Sequence, residues 1–250
     1  MPTSETLLAL KHWFRIALGP YPRLFLPLAR FKEGHRAAVG KDTELVIEGF
    51  PRSGNSFAVN AFAMVQPRPV RLAHHIHAPA QIILAARCDL PILVLVREPV
   101  AAASSLVIRH PYISIRMALY EYIRFYETIA PYRGKFVVGL FDQVTNDYGE
   151  VIKRINQRFS TGFAAFEHNE ANVQKSFAMI ERQNRQKNNG ALAELRIARP
   201  SHAREKLKAG KPLALEIEKQ QHLVAGATTI FHAFAKQAQF ESAGLRQEKF

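Results

Sequence analysis

Glu44 to Phe62, E-L-V-I-E-G-F-P-R-S-G-N-S-F-A-V-N-A-F, is the stretch that most narrows the folds open to this chain. Leu45, Val46 and Ile47 read as a buried strand. The run breaks at Gly49 and Pro51, and an apolar helical pattern resumes at Ser56. Strand, tight Gly/Ser loop and helix together aim backbone N–H groups and a helix N-terminus at one point, which suits an anion such as phosphate. Gly49, Gly54 and Ser56 fall in register with the nucleotide-binding pattern G-x-x-x-x-G-K-[ST], but Asn55 stands where that pattern has lysine. The cation sits inside the loop instead, at Arg52. The alternative is an ordinary strand–turn–helix corner; Arg52, Ser53 and Ser56 weigh against it.

Further strands and helices follow in alternation. The helix from Ser56 is expected to end near Gln66, ahead of Pro67 and Pro69. Val70–Ala73 reads as a strand, Ala80–Ala86 as a helix, and Pro91–Val96 as a strand buried on both faces. Pro99 is well placed to open a helix running to Arg109. An amphipathic helix spans Ser114–Ile129, a strand Lys135–Phe141, and a helix from an Asp147/Glu150 capping box to Phe159. This alternation predicts an α/β fold with a central, mainly parallel sheet flanked by helices.

Residues 1–42 read as a basic, amphipathic extension to a domain spanning 43–250. Trp13, Phe14, Phe25 and Leu26 mix with Lys11, Arg15, Arg23 and Arg30, while Pro20, Pro22 and Pro27 forbid one continuous helix. Such a segment suits an anionic membrane surface, or packs across its own domain. Gly34–Lys41 reads as a linker. Near the other end, 182–211 is polar and basic: a solvated face or a basic lid. Lys11 and Arg15 interrupt the first apolar stretch, so no signal peptide is expected. No uncharged run reaches membrane-spanning length. The single cysteine, Cys88, forms no internal disulfide and fits a reducing compartment. The expectation is a cytoplasmic protein, peripheral to the inner face of a membrane if the first segment lies there.

Charge narrows the partners. Thirty-four basic against 21 acidic residues give a net charge of +13, which calls for anions: nucleic acid, acidic lipid or a phosphorylated small ligand. The second strand–helix junction adds to this. In nucleotide-hydrolysing folds a strand after the phosphate loop ends in a magnesium-binding aspartate; here it ends in Arg97, which repels a divalent cation and attracts another phosphate. The helix beyond offers its N-terminus and carries Ser104 and Ser105. Two phosphate sites without a magnesium carboxylate suit a ligand phosphorylated at both ends, and no metal is expected.

At these residues the sequence resembles the sulfotransferases that use 3′-phosphoadenosine 5′-phosphosulfate (PAPS). Their 5′ loop, P-K-S-G-[TN]-[TS]-[WF], is similar to Pro51-Arg52-Ser53-Gly54-Asn55-Ser56-Phe57, with arginine for lysine as in some bacterial members. Their 3′-phosphate element resembles Arg97, Pro99 and Ser105, and their H-x-P segment resembles His77-Ala78-Pro79. Phe141–Asp147 resembles a further strand-to-helix junction of the family. The resemblance implies a P-loop sulfotransferase-like three-layer fold, PAPS as donor and PAP (3′,5′-adenosine bisphosphate) as product. It also implies cofactor contacts from Arg52, Ser53, Gly54, Asn55, Ser56, Phe57, Arg97 and Ser105. His77 is implied as catalytic base, with His75 as the alternate, and Arg52 as stabiliser of the leaving oxygen. Phe57 is placed to stack on adenine or to fill core. The family's C-terminal R-K-G loop has no counterpart, and the basic region around Arg199, Ser201, Arg204 and Lys208 is the candidate substitute. The acceptor is expected to be a hydroxyl, or an amine, on a sugar, lipid or small alcohol.

Two other functions fit less well. An ATP-dependent phosphotransferase needs a lysine at Asn55 and a magnesium carboxylate. A nucleic-acid binder is suggested by charge alone, and its basic residues are scattered without a recognition motif, so no nucleic-acid partner is expected.

Overall fold

The computed structural model describes residues 4–33 and 37–247. Four strands, β1 (Leu45–Gly49), β2 (Leu72–His74), β3 (Ile92–Val96) and β4 (Val137–Leu140), form one parallel sheet in the order β2-β1-β3-β4. Each is short and mostly apolar, and β1 and β3 are buried along their whole length, as strands covered on both faces must be. Alternate residues feed two cores. Val46, Val94, Val96 and Val138 pack against α4 (Pro79–Arg87), α5 (Pro99–Arg109), α6 (Ile115–Ile129) and α12 (Gln221–Gln247). Leu45, Ile47, Leu93, Leu95 and Val137 pack against α3 (Asn55–Val65), α8 (Tyr148–Phe159) and α9 (Glu170–Lys187). The result is the expected α/β arrangement, with the sheet between two helical layers.

The remaining helices are α1 (Ser4–Leu18), α2 (Pro22–Glu33), α7 (Phe141–Asn146), α10 (His202–Lys208) and α11 (Lys211–Glu218). The break at Gly19–Tyr21 separates α1 from α2, while Pro27 lies inside α2 and does not end it. Of the expected linker, 34–36 lie outside the described residues. Beyond them Ala38 and Val39 are buried, and the Val39 N–H donates to Gln81 Oε1 (3.1 Å), so this part is packed in place. The capping box expected at Asp147/Glu150 does not form. Asp147 occupies the N-cap position without a side-chain cap bond, and Glu150 pairs with Lys153 instead.

Topology decides where a site can lie. From β1 the chain steps to β2 on one side, then returns to β3 on the other. Neighbouring β1 and β3 therefore send their following loops to opposite faces, leaving a crevice at their carboxyl ends, the usual binding position of such sheets. Gly49 is opposite Leu95 in that pair, and a Cβ on it would lie 2.4 Å from the Leu95 carbonyl oxygen. Only glycine permits the two strands to run this close.

Candidate functional site

The loop after β1 and the loop after β3 meet at the crevice. Arg97 Nη1 donates to the Arg52 carbonyl (3.1 Å), and Arg52 Nε donates to Ser105 Oγ (2.9 Å) on α5. The structure thus brings Arg52, Arg97 and Ser105 together, although 53 residues separate the first from the last. Arg52 Nη2 reaches the Ile197 carbonyl (3.0 Å), which also accepts from Arg204. Arg109 donates to the Arg196 carbonyl. The basic 182–211 stretch therefore lies against the two loops, through Arg196, Ile197 and Arg204.

The balance of charge here is unusual. Arg52, Arg97, Arg109 and Arg204 make their hydrogen bonds to carbonyl and hydroxyl oxygens, and none forms an ion pair among the described residues. Burial, with Arg109, Arg204 and Arg97 close by, lowers the proton affinity of the Arg52 guanidinium. Burial also lowers those of Arg97, Arg109 and Arg204, although nearby carboxylates partly offset the effect at Arg97 and Arg204. Partly desolvated like charges are costly unless an anion joins them.

The loop itself is shaped for one. Gly54 adopts φ 94°, and α3 begins at Asn55 without a side-chain cap on its first N–H groups. Those donors are left to solvent or a ligand. Asn55 donates to the Phe50 carbonyl (3.2 Å), while its buried Oδ1 has no partner among the described residues. Ser53 is fully buried beneath the loop. The N-terminus of α5 differs from expectation. The Glu98 carboxylate accepts from Val100 N (3.0 Å) and Ala101 N (2.6 Å), so that helix end is already capped. Arg97 and the Ser105 hydroxyl are the polar groups that the second junction brings to Arg52.

Phe57 belongs chiefly to the core. Its ring lies against Tyr148, Phe166, His168 and Phe177, although it also borders the cavity. The aromatic ring at the arginine pair is Phe141, whose centroid is 3.9 Å from the Arg97 guanidinium carbon. Phe141 opens α7 directly after β4, so topology delivers it to the same end of the sheet.

Three histidines complete the arrangement: His74 ends β2, and His75 and His77 lie between it and α4. His75 and His77 both hold left-handed backbone (φ 60° and 52°), as does Arg52 (φ 71°). Non-glycine residues are strained there, and such strain concentrates at functional sites. Both His75 ring nitrogens are engaged: Nδ1 with His74 Nδ1 (2.8 Å) and Nε2 with Ser56 Oγ (3.1 Å). Burial, reinforced by His77 and His74, holds the His75 pKa well below its ordinary value.

His77 is held differently. Its Nδ1 lies 3.0 Å from the Gly49 carbonyl and 3.3 Å from Glu48 Oε1, so the proton belongs on Nδ1. Its Nε2 has no hydrogen-bond partner among the described residues, and the ring lines the cavity. Glu48, absent from the sequence-based set, is fully buried on β1. It accepts from Gly49 N (3.1 Å), Ile76 N (2.9 Å) and Gln81 Nε2 (3.1 Å). The sequence signal was an acidic residue inside an otherwise apolar strand, which buries only with partners.

Loop, arginines and histidines line one cavity of about 1040 Å³. Its far wall comes from α1 and α2, and α1 is tied down where Arg15 donates to the Ile76 carbonyl (3.1 Å) and to buried Glu121 (2.6 Å).

Fold and site define an α/β protein with an arginine-rich cavity at the carboxyl ends of a parallel sheet. No family model matches the chain, and no curated protein matches it. Among solved structures, mouse sulfotransferase SULT7A1 complexed with PAP is similar to it at 11% sequence identity and a TM-score of 0.38. The likeness covers 57% of this chain and 64% of that one.

Proposed function

We propose that the protein is a PAPS-dependent sulfotransferase acting on a hydroxyl group. The observation that carries this reading is the meeting of Arg52 and Arg97, from two separate strand ends, with neither in an ion pair among the described residues. A ligand anionic at both ends fits that pair, and the uncapped start of α3 supports the same conclusion.

Arg52, Ser56 and the backbone N–H groups of residues 54–56 would hold the 5′ end of the donor. Arg97 and Ser105 would hold its 3′-phosphate, with Arg109 and Arg204 adding positive potential. The donor supplies the sulfuryl group: the sulfur bond to its bridging phosphate oxygen breaks as one to the acceptor oxygen forms, and the electron pair stays with the departing PAP. Arg52 and the loop amides stabilise that developing negative charge, a preorganised effect that is often the largest in catalysis. His77 Nε2 takes the acceptor proton. Glu48 and the Gly49 carbonyl fix the tautomer that leaves Nε2 able to accept, as an orienting carboxylate does in other acid–base pairs. His75, with both nitrogens engaged, is the poorer candidate.

Calorimetric titration with PAP in the absence of magnesium, beside ATP with magnesium, tests the reading. PAP is expected to bind and ATP–magnesium to bind more weakly. Preference for ATP–magnesium would favour a phosphotransferase and end the sulfotransferase proposal.

A further inference from the structure

Most of the large apolar side chains that stand exposed among the described residues lie on the first two helices and the turn between them. No residue of α1 is buried, and Leu7, Leu8, Leu10, Trp13 and Phe14 stand exposed along it. Tyr21, Leu24, Leu28 and Phe31 extend the patch over the turn and α2, with Phe31 94% exposed. Large apolar side chains exposed in this number along two successive helices mark an interaction face. Lys11 and Arg23 are exposed within it, and Arg30 lies partly exposed beside it. A second copy would bring the same positive residues face to face. An anionic surface would complement them.

The patch is continuous with the cavity. Leu8, Phe14 and Leu28 are both exposed and part of the cavity wall; Phe25, Leu106 and Tyr112 line it as well, on the way to His77 and Arg52. Such a wall offers little to the hydroxyls of a free sugar but a good deal to a hydrocarbon chain. Arg15 joins the helix bearing the patch to the Ile76 carbonyl, one residue from His77. No described helix is long and apolar enough to cross a membrane, so contact would be made from the surface, as amphipathic helices make it.

We propose that α1 and α2 dock on an anionic phospholipid bilayer and that the acceptor is the hydroxyl head of a long-chain amphiphile drawn from it. The acceptor half rests on the sulfuryl transfer proposed above; the docking half does not.

The test uses the full chain, co-sedimented with phosphatidylglycerol-containing vesicles or with pure phosphatidylcholine vesicles. Partition into the anionic vesicles is expected to be at least about tenfold stronger, and to weaken in high salt. A Leu24→Glu/Phe31→Glu double variant, altered at exposed positions outside the cavity wall, is expected to lose that partition and keep its PAP affinity. Labelled PAPS should then be used on a long-chain alcohol embedded in the vesicles in preference to glucose. No partition, or partition indifferent to the double variant, overturns the docking. So does a dimer in analytical ultracentrifugation that the double variant dissolves, because a second copy would then be the occupant. Equal transfer to glucose overturns the acceptor class. A chain that binds PAP and ignores vesicles sinks this inference alone; one that binds vesicles but not PAP sinks the transfer reading and the acceptor half with it.

Discussion

Arg97 and His77 should fail in different ways when truncated. Arg97→Ala removes the charged donor proposed for the 3′-phosphate, and a hydrogen bond to a charged group is worth about 1.5–3 kcal/mol, so PAP affinity should fall roughly 10- to 150-fold. His77→Ala should lower kcat about 10²- to 10⁴-fold, the usual range for a lost general base, with PAP affinity largely kept. Titration calorimetry and steady-state kinetics on both variants check this, and equal loss of binding would remove the role given to His77. Glu48 makes a sharper case. Its carboxylate serves the N–H groups of Gly49 and Ile76 and the Gln81 amide as well as His77. Glu48→Ala strands three buried donors at about 1–3 kcal/mol each, so chemical denaturation should report a loss of at least about 3 kcal/mol. Glu48→Gln keeps one acceptor oxygen, should unfold later than the alanine variant, and should still lower kcat. The pairing of Glu48 with His77 could not be read along the chain. Glu48 and His77 are 29 positions apart, and their contact exists only because β1 and the segment after β2 lie side by side.

Elements were more legible than contacts. Every strand expected from an apolar run between Pro, Gly or charged residues is present within a few positions, because burial on both faces leaves no other reading for Leu45–Ile47 or Ile92–Val96. The helix ends set by Pro67, Pro99 and Ser114 also hold, since missing donors and capping hydroxyls act locally. What the sequence could not supply was competition for the same donors. Glu98 takes the N–H groups at the start of α5 that the sequence offers to a phosphate. Phe57 is drawn into a cluster of rings contributed by α8, α9 and the segment between them, while Phe141 takes the place beside Arg97. The β1–β3 pair gives the element-scale prediction. A Cβ at position 49 would meet Leu95 O at 2.4 Å and Leu95 Cβ at 2.9 Å, neither at the free end of a flexible chain. Gly49→Ala should therefore cost about 1–3 kcal/mol, as overpacking does, and displace both arginine-bearing loops. Thermal melts with and without PAP check it: the variant should melt lower and gain less from the ligand.

At the scale of the whole molecule, the histidines around the cavity tie stability to pH. Burial, the dominant cause at each, lowers the pKa of His74 and His75, and it takes His110 down to about 4. Their ordinary value is 6.5. Below that pH the unfolded chain binds protons that the folded chain refuses, so stability present above pH 6.5 is lost as pH falls toward the depressed folded values. One proton per histidine corresponds to at most about 1.4 kcal/mol per pH unit, and three together to about 4. Glu121 opens a second, lower window. Burial alone would raise its pKa, but Arg15 and His12 outweigh it and the net shift is downward from 4.5. Its contribution is therefore complete above 4.5 and lost only below it, together with the anchor of α1. Urea midpoints between pH 8 and pH 5 should decline once pH passes below about 6.5, and His110→Gln should flatten part of that slope. The buffer must not contain phosphate, because an anion bound among Arg52, Arg97, Arg109 and Arg204 would stabilise the folded state by mass action. Adding PAP at fixed pH should raise the midpoint by that same linkage. A midpoint unchanged from pH 8 to pH 5 would mean that these imidazoles accept protons in place, which their burial argues against.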